Sequence, residues 1–276
     1  MKKAAVLLVL PLLLIAALAA AGDALATPSE DFREVNDDIV DDWGISRTRA
    51  AGKDGFYQVT STGFRPVIAF ESLGVEADIA YRLGEQMAAK YPDRIQRAEK
   101  IFQFARDRVL YTSDTDQFQL DEFAQNADEV AAAIEENGTA RGDCEDSTLL
   151  LAVMYQGAGF RSAISIAPGH TAALVYLPEY KKSTSFELAG ESGWIWAEAT
   201  GKNNPLGWVP KELVNAEIAA YEITAEDIDS AAPEGGMVTV VTTGDGGGGG
   251  GGFSFPFFGV IGFLWLISLF RRRRPR

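Results

Sequence analysis

Arg141-Gly142-Asp143-Cys144-Glu145-Asp146 runs almost directly into Leu149-Leu150-Leu151-Ala152-Val153-Met154. The apolar run predicts an apolar helix over Glu145 to Gln156, stopped by Gly157-Ala158-Gly159. Asp143 stands where a short acid caps a helix N-terminus. Cys144 then falls in the first turn, where the partial positive charge of the helix favours a thiolate. The plainer reading is a cysteine acting as a small buried hydrophobe. The polar Gly-Asp-Cys-Glu-Asp setting argues against that burial. The chain has one cysteine and one histidine, so no other residue could take either role.

The histidine is His170, in Pro168-Gly169-His170-Thr171-Ala172-Ala173-Leu174-Val175. It follows a turn and opens a β-like run, a position from which a side chain points off the sheet edge. The competing reading is a structural or surface histidine. Strands are expected over Ser162 to Ala167, Thr171 to Leu177 and Gly193 to Ala199. In Trp194-Ile195-Trp196-Ala197-Glu198-Ala199-Thr200, strand alternation puts Trp194, Trp196 and Glu198 on one face. A carboxylate on an aromatic face is costly without a partner, and an imidazole on a neighbouring strand would be one. The alternative is a solvated glutamate on an edge strand, with Asp143 or Asp146 serving as the acid. A thiol, an imidazole and a carboxylate are the parts of a cysteine-nucleophile triad. With one histidine and no repeated Asx-loop spacing, no metal site and no cofactor are expected.

Upstream, Thr27 to Trp43 carries Phe32, Val35, Ile39 and Val40 at helical spacing, which predicts a short docking helix. Gly55 to Thr60 and Phe64 to Phe70 read as two strands around a turn, with Pro66 placing the second at an edge. Helices are expected over Val75 to Lys90, before Tyr91-Pro92, and over Asp93 to Val109. A shorter helix is expected over Asp128 to Glu136, ending near Asn137-Gly138. Downstream, Asn203 to Gly207 reads as a turn and Trp208-Val209 as the start of a short element.

Taken in order, these segments resemble the transglutaminase-like superfamily, in its bacterial and archaeal branch with a Gly-Asp-Cys-Glu-Asp motif. The resemblance covers about Ala98 to Pro210. It rests on Val109-Leu110-Tyr111-Thr112-Ser113-Asp114, on Arg141 to Asp146 with its apolar helix, on Gly169-His170, and on Trp196-Ala197-Glu198-Ala199-Thr200. It implies an α+β fold with a papain-like core, in which the nucleophile helix packs on an antiparallel sheet. It implies Cys144 as nucleophile, His170 as base and Glu198 as orienting acid. Many members carry Asp at the third position, where this chain has Glu198. Nothing matches the calcium sites or extra domains of animal transglutaminases. The implied chemistry is acyl transfer through a thioester. Tyr111 is a candidate for the active-site wall, against the plainer reading of core packing at a helix end.

The ends of the chain bear on location. Lys2-Lys3, the uncharged stretch Ala4 to Gly22 and Ala24-Leu25-Ala26 have the layout of a secretory signal peptide over residues 1–26. An uncleaved signal anchor is the alternative. Residues 27–92 form an N-terminal extension, 93–220 the transglutaminase-like domain, and 221–252 an acidic and then glycine-rich linker. Phe253 to Phe270 is uncharged and, at ~1.5 Å rise per residue, spans roughly 27 Å as a helix, enough for a hydrocarbon core. The arginine-rich tail 271–276 holds that end in the cytoplasm. This places the domain outside the cell membrane on a single span. Gly246 to Gly252, the apolar segment and the arginines also resemble a C-terminal sorting signal, with a processing protease as a further partner.

The whole chain carries 25 basic and 39 acidic residues, a net charge of −14 at pH 7. Such a surface repels nucleic acid and anionic membrane and weakly favours a basic peptide or protein. A lone cysteine excludes an internal disulfide, so the core must carry stability. Three classes of function follow: a thiol hydrolase of peptide or amide bonds, a cross-linking acyltransferase of the same fold, and a non-catalytic envelope binding module.

Overall fold

The computed structural model describes residues 32–36, 38–41, 47–48, 57–59, 64–66, 79–120, 123–167, 170–214, 218–223 and 239–243. The segments expected as signal peptide (1–26), glycine run (246–252), membrane helix (253–270) and tail (271–276) lie outside them. Among the described residues no helix is long and apolar enough to cross a membrane.

The fold is mixed, with helices on one side of an antiparallel sheet. Helices α1 (Ile79–Lys90), α2 (Arg94–Arg108), α4 (Ala127–Asn137) and α5 (Cys144–Gly157) form the helical part, with the short α3 (Asp114–Gln117) between α2 and α4. Asp93 caps α2 by accepting the Gln96 N–H at 2.7 Å. Asn126 and Glu129 form a capping box at the start of α4, and Gly138 ends that helix at φ 80°. Helix α5 is buried along Leu149 to Tyr155, as an all-round apolar helix must be. It packs against α1, α2, α4 and the sheet.

The sheet closes into a six-stranded barrel in the order β10-β8-β7-β11-β12-β9. Its strands are β7 (Ser162–Ala167), β8 (His170–Tyr176), β9 (Phe186–Leu188), β10 (Glu191–Ala197), β11 (Ile218–Ile223) and β12 (Thr239–Thr243), all paired antiparallel. Period-2 alternation divides the side chains between two cores. Ile164, Ala173, Val175, Ile195 and Ala197 face the helices. Ala163, Ala172, Leu174, Trp194 and Trp196 face the second core, with Phe186 and Leu213. Strand β12 falls within 221–252, the stretch whose composition reads as linker.

Among the described residues, three further strand pairs lie outside the barrel. The parallel pair β5 (Val109–Tyr111) and β6 (Ala140–Gly142) was not expected from sequence. The pair β3 (Tyr57–Val59) and β4 (Phe64–Pro66) agrees with the two strands read there. The segment expected as a docking helix is instead an antiparallel hairpin of β1 (Phe32–Val35) and β2 (Asp38–Asp41). Asn36 turns the chain at φ 51°, a conformation that asparagine tolerates and a helix does not use. The turn breaks the apparent helical spacing, and the β-branched Val35, Ile39 and Val40 suit strands.

Helices α1 and α5 approach each other closely. A Cβ on Gly84 would lie 2.1 Å from the Met154 carbonyl oxygen, and one on Gly157 would lie 2.0 Å from that of Tyr81. Gly84→Ala is therefore expected to push the two helices apart and destabilise the protein by about 1–3 kcal/mol. Thermal unfolding followed by circular dichroism measures this. An unchanged melting temperature would show that the helices are not held at this distance.

Candidate active site

Cys144 is the first residue of α5, directly after its N-cap, Asp143. The strand before it is held in place by β5, with Tyr111 opposite Gly142 and the Thr112 N–H donating to the Gly142 carbonyl at 2.9 Å. Asp146, in the first turn of the helix and 0% exposed, organises the rest. Its carboxyl accepts the Gln125 backbone N–H at 2.8 Å, the Gln125 side-chain amide at 2.9 Å and the Asp143 N–H at 3.1 Å. Gly142 leaves room for this carboxyl, since a Cβ there would lie 2.5 Å from Asp146 Oδ2. Burial, then the neighbouring Asp143 and Asp114, push the Asp146 carboxyl well above the usual range, against the pull of the Gln125 bonds.

His170 is the first residue of β8, at the end of a strand flanked by β7 and β10. Its Nε2 is bound by Glu198 Oε2. Glu198 follows the last residue of β10 and is 2% exposed, so it is not a solvated edge residue. Its other oxygen accepts the Thr200 N–H at 3.1 Å and the Thr200 hydroxyl. Trp196 lies beside the imidazole, with ring centroids 6.5 Å apart. Ring, carboxylate and hydroxyl thus form one hydrogen-bonded chain. Asp146, the competing acid, is engaged by Gln125 and Asp143 instead.

The Cys144 sulfur sits between Glu145 Oε2, 3.0 Å away, and the His170 ring, which is within hydrogen-bonding range. Because Glu198 engages Nε2, Nδ1 is the ring nitrogen left to exchange a proton with sulfur. Burial alone would lower the His170 pKa. Cys144 and Glu198 outweigh it and push it up to about 10. Burial likewise raises Glu198, but His170 and Thr200 hold it below its usual value. The pair is therefore imidazolium and carboxylate at neutral pH.

A raised histidine pKa binds its proton more tightly in the folded state than in the unfolded state. Its contribution to stability is fully present below the ordinary value of 6.5 and is lost as pH rises through about 10. The stability advantage of wild type over His170→Asn should therefore shrink between pH 6.5 and 10. Melting temperatures of both proteins across that range test this, and a constant difference would contradict the ion pair.

Tyr111 is 64% exposed, which overturns the reading of core packing at a helix end. Two sets of side chains bring ligand-type atoms within 4.8 Å of one another: Asp143, Cys144 and Glu145, and Asp114, Asp143 and Asp146. The sequence reading missed this convergence because Asp114 arrives from a separate helix. The visible consequence is the raised pKa of Asp146. Crowded carboxylates do not by themselves define a cation site.

No protein-family model matches the chain, and no curated protein matches it.

Proposed function

We propose that the chain is a cysteine hydrolase of peptide or amide bonds of the transglutaminase-like kind, with the papain-like placement of a nucleophile helix against an antiparallel sheet. The observation that carries this reading is the meeting of three side chains from separate elements. Cys144 comes from the start of α5, His170 from the start of β8, and the buried Glu198 from beyond β10, already bound to the imidazole.

In the proposed reaction the proton of the Cys144–His170 pair resides on His170 Nδ1, and the Cys144 thiolate sulfur attacks the substrate carbonyl carbon. The Cys144 backbone N–H has no intrahelical partner at this position and faces the developing oxyanion. His170 gives its proton to the leaving amine as the carbon–nitrogen bond breaks, leaving a thioester. His170 then takes a proton from water, the hydroxide adds to the thioester carbon, and the acid departs as the carbon–sulfur bond breaks, which leaves thiolate and imidazolium as at the start. Glu198 keeps the ring oriented and stabilises the imidazolium throughout.

We further propose that the domain is exported and tethered by 253–270, unless cut near 246–252. Protease added to intact cells should then degrade it, and full protection would refute the topology. Cleavage of a peptide library by the full chain, lost in Cys144→Ser, tests the hydrolase reading. Incorporation of a labelled amine without hydrolysis would replace it with the cross-linking acyltransferase.

A further inference from the structure

We propose that the site takes acyl donors bearing a lysine- or arginine-type positive charge beside the reacting carbonyl, seats that charge on the ring of Tyr111, and passes the acyl group to water rather than to an amine. The inference rests on the hydrolase reading above.

Tyr111 ends β5 opposite Gly142, two residues before Cys144. At 64% exposed it is more open to solvent than any other exposed large apolar or aromatic side chain among the described residues. Its neighbours are acidic. After burial itself, the charges that raise its pKa are those of Asp143, Cys144, Glu145 and Asp114. The ring thus stands in a negative field at the mouth of the site. Among the described residues no lysine or arginine lies over it, whereas Phe32 and Tyr91 each carry one and Phe160 carries two. Arg141 is paired with Leu110 in the β5–β6 register, so it belongs to the opposite face of that ribbon. A cation above Tyr111 would gain from the ring face and from the carboxylates together.

The same field decides which substrate carries the charge. An attacking amine must first lose its proton, and nearby carboxylates make that harder. A cation drawn to this place is therefore a poor nucleophile. On the acyl donor the charge persists through the reaction and costs nothing. Water has no charge to lose and remains the acceptor.

The test uses the full chain and the 4-nitrophenyl esters of N-acetyl-lysine, N-acetyl-norleucine and N-acetyl-glutamate. Nitrophenol release is read against Cys144→Ser as background. At low ionic strength the lysyl ester should acylate Cys144 about tenfold faster than the norleucyl ester, with the glutamyl ester slowest. The gap should narrow as salt is added. Tyr111→Phe should keep the lysyl preference, because the ring provides it, and Tyr111→Ala should lose most of it. Added cadaverine should leave the hydrolysed acid as the product. Equal rates for the three esters, an unchanged preference in Tyr111→Ala, or transfer to cadaverine would each overturn the inference while leaving the thiol reaction standing. No acylation by any ester would overturn the hydrolase reading and this inference with it.

Discussion

Glu198→Gln should leave the fold intact and slow acylation of Cys144 by an activated ester about 10²–10⁴-fold, the range seen when an orienting acid is neutralised in such a triad. Glu198 is buried, and its two oxygens are bound by His170 and by Thr200. The amide keeps the shape and can still accept from Thr200. It cannot hold an imidazolium, so the His170 pKa falls and the ring loses its fixed orientation. Glu198→Asp should retain more activity than the amide, since the charge survives and only reach is lost. Rates from stopped-flow nitrophenol release, with melting curves as a control for folding, decide the matter. Equal rates for wild type and Glu198→Gln would show that another group orients the histidine.

Arg47→Ala should cost about 3–5 kcal/mol and lower the melting temperature on the order of 10 °C. Arg47 is 0% exposed and grips Glu129 through two nitrogens, at 2.8 and 3.0 Å. It also donates to the Ala124 carbonyl at 3.1 Å, while its own carbonyl accepts the Ala124 N–H at 2.9 Å. Removing the guanidinium strands a largely buried carboxylate at the start of α4. The damage reaches further, because Ala124 and Asn126 flank Gln125, and Gln125 holds Asp146 at the nucleophile. Arg47→Lys should rescue only part of the loss, since an ammonium cannot form the two-pronged contact. A melting temperature within about 2 °C of wild type would show that the N-terminal segment is not integral to the domain.

What sequence could show follows from the range of each signal. The apolar run Leu149 to Met154 has one stable solution, a helix buried all round, and α5 matches it. Strands β7, β8 and β10 are long enough for alternation to be seen, and the same alternation put Glu198 on the face of Trp194 and Trp196. Local chemistry also served at Asn137-Gly138, where a left-handed turn needs only its neighbours. The pair β5–β6 was hidden because three-residue strands have no measurable period and their partners are distant in the chain. The N-terminal hairpin was misread because spacing alone cannot see the positive φ of Asn36. The Arg47–Glu129 pair joins residues 82 apart and leaves no local trace. At the site, order along the chain proposed Cys144, His170 and Glu198. The roles of Thr200 behind Glu198, and of Gln125 on Asp146, depend on loops whose placement is tertiary.

The most direct test of the account is mass spectrometry of the full chain mixed with an activated acyl ester. An acyl adduct on the peptide containing Cys144 should form and then decay in water. The adduct should be absent in Cys144→Ser and should form far more slowly in His170→Ala. An unmodified Cys144 in a folded protein, or equal acylation of wild type and His170→Ala, would contradict it.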